Sequence, residues 1–232
     1  MPKRKTKKTD VSRIFFTSDL WLGRNNIIDI YGRPFKSVRE MDEKLVENWN
    51  VTVGDDDIVF VLGNLVYDGT RAQNIISDLK GVKLLMLSES DKNILRVDDV
   101  YMDELTLLGD IYMNDALNDD DSRIIYDNFG LLTSEEILGY IEKISEKYRP
   151  NVIILKNSII DLARYGIVAS LYPLLEWNGK TSGTLNLHGG SAGSSKNFDE
   201  DCRISVRTDM WGFRPIELSE IQTIVSQLKS KQ

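Results

Sequence analysis

The chain has 232 residues, 41% of them hydrophobic, with 29 basic against 36 acidic side chains and a net charge of −7. That length supports one large domain with a well-buried core, and an acidic globule is a poor general binder of nucleic acid, since phosphate contacts need clustered Lys and Arg. No apolar run approaches the ~18–20 residues that span a bilayer, no apolar signal segment follows the basic N-terminus, and a single cysteine, Cys202, leaves no intrachain disulfide and suits a cytoplasmic protein.

The basic residues are unevenly placed. Lys3, Arg4, Lys5, Lys7 and Lys8 crowd the first ten positions. Residues 1–11 therefore form a basic arm with two readings: a contact to nucleic acid or another acidic surface, or a solvated tail. Residues 12–232 read as a single domain. Arg13 to Ser18 (RIFFTS) predicts a buried strand. In Ser37 to Val51, Val38, Met41, Leu45 and Trp49 recur every three or four residues, and Ser37 with Glu40 makes a capping box, so a helix is expected. Asp57 to Leu62 predicts a second strand closed by Gly63, Thr70 to Leu79 a helix, and Val82 to Leu87 a third strand. This alternation argues for βαβ units in a layered α/β fold.

An inserted segment at about 97–150 differs in kind. Its first part, Val97 to Asp127, is crowded with Asp; Thr133 and Glu136 then cap a helix that Pro150 ends. It reads either as a docking element or as a solvated loop. Short strands are expected at Val152–Leu155, Ile159–Ala163, Ile167–Leu171 and Cys202–Arg207, a Gly/Ser loop at Gly189–Ser195, and a final amphipathic helix at Leu218–Leu228. Cys202, Trp49, Trp177 and Trp211 are expected in the core.

One further pattern runs along the chain. Ser18-Asp19-Leu20-Trp21-Leu22-Gly23 follows the first strand. Asn26-Ile27-Ile28, Arg33-Pro34-Phe35, Glu40-Met41-Asp42 and Asn48-Trp49-Asn50 come after it in order. The succession resembles the opening of short, often phage-encoded, calcineurin-like metallophosphoesterases, which run SDLHLGH, NII, RPF, EMD, NWN. Leu62-Gly63-Asn64 resembles their LGD, Ser88-Glu89-Ser90-Asp91 occupies the place of GNHD, and Ser170-Leu171-Tyr172-Pro173 resembles SHYP. Leu187-His188-Gly189-Gly190-Ser191-Ala192-Gly193 resembles LHGHSHG, and Asp209 to Ile216 resembles the closing D-x-W-x-x-RPI. The likeness covers residues 13–95 and about 155–222. It implies a sandwich of two β-sheets with helices on the outer faces, here carrying the acidic insertion.

The departures all lie on the chemistry. The resemblance implies a two-metal site held largely by histidine, and this chain has one histidine, His188. The first metal ligand is kept as Asp19. Its partner histidine is Trp21, a second histidine of that loop is Arg24, the bridging Asp is Asn64, and the Asn ligand is Glu89. The catalytic histidine is Ser90, followed by Asp91. The later metal histidines are Leu171, Gly190 and Ala192, and His188 matches a residue beside the ligands. Two-metal hydrolysis needs paired cations to polarise a phosphoryl oxygen and activate a hydroxide. Leu, Gly and Ala donate nothing to a metal, and the Trp indole nitrogen is a donor only.

The expectation is therefore a catalytically inactive, metal-free and cofactor-free member of that family, kept for binding a protein partner or for self-assembly. If phage-encoded, it would be a virion component or a host-factor binder. Trp21 would fill the space of the ions, and Arg24 or Lys92 would neutralise Asp19. Two alternatives stand beside it. Asp19, Asn64, Glu89 and Asp91 could form an oxygen-rich Mg²⁺ or Ca²⁺ site serving an active phosphoesterase, or the basic arm could make the chain a nucleic-acid-binding module. The Gly189–Ser195 loop could also cradle phosphate on its backbone N–H groups.

Overall fold

The structure is a computed structural model, and it describes residues 13–67, 75–76, 78–91, 152–155, 158–190 and 202–229. The basic arm, the 97–150 insertion, Lys92, Ala192 and most of the expected 70–79 helix lie outside the described residues.

The first sheet is built by β1 (Ile14–Thr17), β2 (Ile58–Leu62), β3 (Val82–Met86), β4 (Val152–Leu155) and β9 (Ile216–Glu217), in the order β4-β3-β2-β1-β9. β1 to β4 are mutually parallel, and β9 runs antiparallel to β1. The second holds β5 (Ile159–Leu162), β6 (Ile167–Ser170), β7 (Leu185–His188) and β8 (Arg203–Ser205) in that order, with β5 antiparallel and the rest parallel.

Alternation along β1 to β3 divides the core in two. Phe16, Phe60, Leu62, Leu84 and Met86 face the second sheet and meet Ile160, Ile167, Ala169, Leu187 and Ile204. Phe15, Val59, Val61 and Leu85 face the other way, onto Met41, Leu45 and Trp49 of α2 (Val38–Thr52). Both faces are thus covered, which is why these strands read as unbroken apolar runs. The α2 register follows its sequence: the Glu40 N–H donates to Ser37 Oγ at 3.2 Å, capping the helix. A closing helix, α3 (Leu218–Lys229), adds Leu218 and Ile221 to the inter-sheet core. At the end of β1 the two sheets join through backbone: Ser18 N–H donates to Val206 O and Thr208 N–H to Ser18 O, each at 3.0 Å.

The mixed α/β, two-sheet expectation agrees with this architecture. Three short elements carried too little pattern to be expected: α1 (Ile27–Tyr31), β7 and β9. Three core assignments need correction. Cys202 lies before β8, half-buried at the edge of the inter-sheet core, with φ of +62°. Trp177 and Trp211 are half-buried as well, and each indole N–H donates to a backbone carbonyl, Thr184 O and Ser205 O, both at 2.8 Å. Among the described residues no helix is long and apolar enough to cross a membrane.

Candidate functional site

The loops that leave the C-terminal ends of β1 and β2 go on pairing after the strands stop. Asp19 N–H donates to Gly63 O, Trp21 N–H to Asn64 O, Leu22 N–H to Leu65 O and Tyr67 N–H to Leu22 O, at 2.8–3.1 Å. The pairing places three non-glycine residues in the left-handed region: Asp19 (φ +57°), Trp21 (+55°) and Asn64 (+56°). Asn and Asp accept that conformation better than most residues, and a Trp there costs roughly 1–3 kcal/mol. Surrounding contacts must hold it.

Asp19 is fully buried, and three donors meet its carboxylate. Asn64 Nδ2 reaches Oδ1 at 2.9 Å; Ser18 Oγ at 2.8 Å and Gly190 N–H at 2.9 Å reach Oδ2. The knot thereby ties β1, β2 and the loop after β7 together. Asp91 makes a second knot one loop away. Its carboxylate accepts from the N–H groups of Asn64, Leu65, Val66 and Ser88 and from Ser88 Oγ, at 2.6–3.1 Å. Burial pushes the Asp91 carboxyl pKa up, and these hydrogen bonds oppose that shift.

The structure thus brings Asp19, Asn64 and Gly190 into direct contact and fastens Asp91 to the Asn64 backbone. Leu171 closes over Gly63, so near that a β-carbon on Gly63 would lie 2.7 Å from Leu171 Cδ2; Tyr172 covers Gly190 in the same way at 2.6 Å. His188 is buried, with Nδ1 3.1 Å from Gly189 O. Glu89 is exposed and Ser90 half-buried, in the short helical stretch that they form with Asp91.

Trp21 packs with Leu20 and Leu22 in the helix-side core, and Leu171 lies against Gly63. One expectation about this region is corrected. Arg24 does not neutralise Asp19. Its guanidinium lies over Trp21 and Tyr67, at 4.2 and 4.8 Å from the ring centres, and its Nε donates to Asn26. Among the described residues, hydrogen-bond donors and not a cation meet the Asp19 carboxylate.

A layer beneath the knot was not singled out from sequence. The Arg33 side chain is completely buried. Its Nη1 and Nη2 donate to Leu20 O and Asp19 O at 2.8 and 2.5 Å, and its Nε meets Asp209 Oδ1 at 2.5 Å. Arg207 shares Asp209 at 3.3 Å and lies 4.3 Å above the Tyr31 ring. Burial, and then the Asp19 charge, push the Tyr31 hydroxyl pKa up. Arg33 and Asp209 were visible within the RPF and D-x-W patterns. That they pair across 176 positions, and brace the backbone of Asp19, is a tertiary fact.

These residues do not fit a two-metal group. Both Asp19 oxygens already accept hydrogen bonds, Asn64 turns its NH₂ toward that carboxylate, and Asp91 faces backbone amides. The side chains of Leu171 and Trp21 offer no lone pair to a metal, and Gly190 has no side chain. Among the described residues no group of three or more His, Cys, Asp or Glu side chains is placed to hold a metal ion.

No family model matches the chain. It is 35% identical over 83 residues to an uncharacterized protein of Methanocaldococcus jannaschii, a stretch covering 34% of this chain and 47% of that protein. It is also 35% identical over 85 residues to the Gene 66 protein of Mycobacterium phage L5, covering 35% and 41% of the two chains. In phage D29 the Gene 66 protein is 33% identical over 86 residues, or 35% and 42%. The chain thus spans less than half the length of these curated relatives. A crystal structure of a protein of unknown function from Aquifex aeolicus superposes with a TM-score of 0.50 over 92% of this chain and 100% of that one, at 16% identity. At that identity the likeness concerns the fold alone: a mixed α/β architecture of two sheets with helices.

Proposed function

We propose that the chain is a catalytically silent relative of the calcineurin-like metallophosphoesterases, kept for binding or assembly. One observation carries the reading: the Asp19 carboxylate is held by Ser18, Asn64 and Gly190, at loop positions where the sequence resemblance implies metal and metal ligands. A carboxylate facing metals needs its oxygens open to them. Here an amide replaces the bridging carboxylate and turns a donor inward, which also removes the repulsion that two bare carboxylates would feel. Leu171 packs against Gly63 and Tyr172 against Gly190, so apolar side chains stand beside the Asp19 knot where the resemblance implies metal ligands. The two phage relatives support placing the binding role in a phage setting, as a virion component or a host-factor binder.

Elemental analysis of the purified chain tests this, run beside hydrolysis of bis(p-nitrophenyl) phosphate in added Mn²⁺. The expected result is no stoichiometric metal and no turnover. One or two bound metals, with turnover abolished by chelator, would overturn it and assign a working site to Asp19, Asn64, Glu89 and Asp91.

A further inference from the structure

We propose that Arg24 anchors an oxyanion, the carboxylate or phosphate group of a ligand, at the rim of the Asp19 knot. The backbone pairing of the two loops through Leu22 and Val66 sets Trp21 beside Tyr67, and their rings meet edge to face at 6.3 Å. Arg24 lies on both rings. A guanidinium seated on two aromatic rings has a defined plane, so most of its rotamer freedom is lost before any ligand arrives.

Its charge has no carboxylate partner among the described residues. Arg13 meets Asp57, Arg33 and Arg207 share Asp209, Arg39 meets Glu43 and Arg214 meets Glu220. Among the described residues Arg24 donates only through Nε, to Asn26 Oδ1 at 2.9 Å, and none of them engages the four N–H groups of Nη1 and Nη2. A planar fork of open donors matches the two oxygens of a carboxylate or two of a phosphate. Tyr67 is 48% exposed, so ring surface stays open beside the fork for the body of the ligand. Trp, Tyr and Arg are also the residue types that most often dominate binding energy at interfaces.

The test titrates the ¹⁵N-labelled full chain with sodium phosphate and, separately, sodium acetate at constant ionic strength. The readout is the Trp21 indole N–H resonance, assigned with Trp21→Phe. Saturable shifts are expected, weakened about tenfold or more by Arg24→Ala and also by Arg24→Lys, which keeps the charge without the fork. Saturation by phosphate alone assigns a phosphate-bearing ligand, by acetate alone a carboxylate, and by both a general oxyanion site. Non-saturating shifts in both salts, or an unchanged response in a folded Arg24→Ala chain, would overturn the proposal. Arg24 is a partly exposed loop residue, and an amide spectrum unchanged elsewhere verifies that each variant is folded. Metal content and turnover are separate readouts, so loss of the anion response leaves the silent-hydrolase reading standing.

Discussion

Asp91 and Lys83 are both buried ionisable side chains, eight positions apart, and they meet opposite surroundings. Asp91 lies just past the end of β3, where the chain leaves the sheet, and collects four backbone N–H groups and a hydroxyl. Lys83 lies inside β3, fully buried, with Leu79 O as its hydrogen-bond acceptor. Desolvation lowers its pKa to about 7. Backbone donors explain the difference. In the middle of a parallel sheet every N–H is engaged by the ladder, whereas at strand ends N–H groups come free and a carboxylate can gather them. The polar knots therefore cluster at the loop end of the first sheet, and the Lys83 amine in the strand interior is left with little company.

The largest effect is expected on the well-satisfied side. Asp91→Ala strands four backbone donors and should cost about 4 kcal/mol in urea unfolding, with Asp91→Asn nearer about 2 kcal/mol. A loss below about 1 kcal/mol would mean that water replaces the carboxylate at little cost.

Lys83 supplies the contrasting measurement. Its folded pKa of about 7 lies below the ordinary 10.5, so between those values the unfolded chain binds the extra proton. Stability should rise with pH across that window, by up to about 4 kcal/mol in total, and the contribution should be flat below about pH 7. Lys83→Met should remove this slope and stabilise the fold at pH 7 by about 3 kcal/mol. An unchanged pH profile in that variant would place the titration elsewhere.

Asn64→Asp sets a second carboxylate against Asp19. At pH 7 it should destabilise by about 2 kcal/mol, regained toward pH 4 as one of the pair takes a proton. If Mn²⁺ at pH 7 restores the variant as fully as acid does, then one substitution rebuilds a metal site, and the donor geometry is less committed than it looks. The smallest effect is expected at Gly190, whose φ of +64° and contact with Tyr172 make Gly190→Ala cost about 1–2 kcal/mol in thermal unfolding.

The strands β1, β2 and β3 and the helix α2 were legible because their signals are local: β-rich apolar runs, a capping box, and a three-to-four-residue stripe from Val38 to Trp49. β7 and β9 were not. Leu185–His188 is four residues with a polar Asn in its middle, and Ile216–Glu217 is only two. Such segments become strands only when a neighbour supplies the ladder. The candidate site divides in the same way. Asp19, Asn64, Asp91, Leu171 and Gly190 could be singled out by position, but their partners could not, since the contacts join residues up to 171 positions apart.

By itself, then, the sequence determined the elements whose stability is local, the layered α/β class, and the shortage of imidazole ligands that follows from a single histidine; the second sheet was only what the resemblance implied. Tertiary structure decided what each polar group does. It turned Asn64 toward Asp19 rather than toward a cation, placed Leu171 over Gly63, braced the Asp19 backbone with Arg33, and lifted Arg24 onto two aromatic rings. Residue type sets which groups can donate and accept. Their burial and their partners follow from how loops distant in the chain meet at the strand ends.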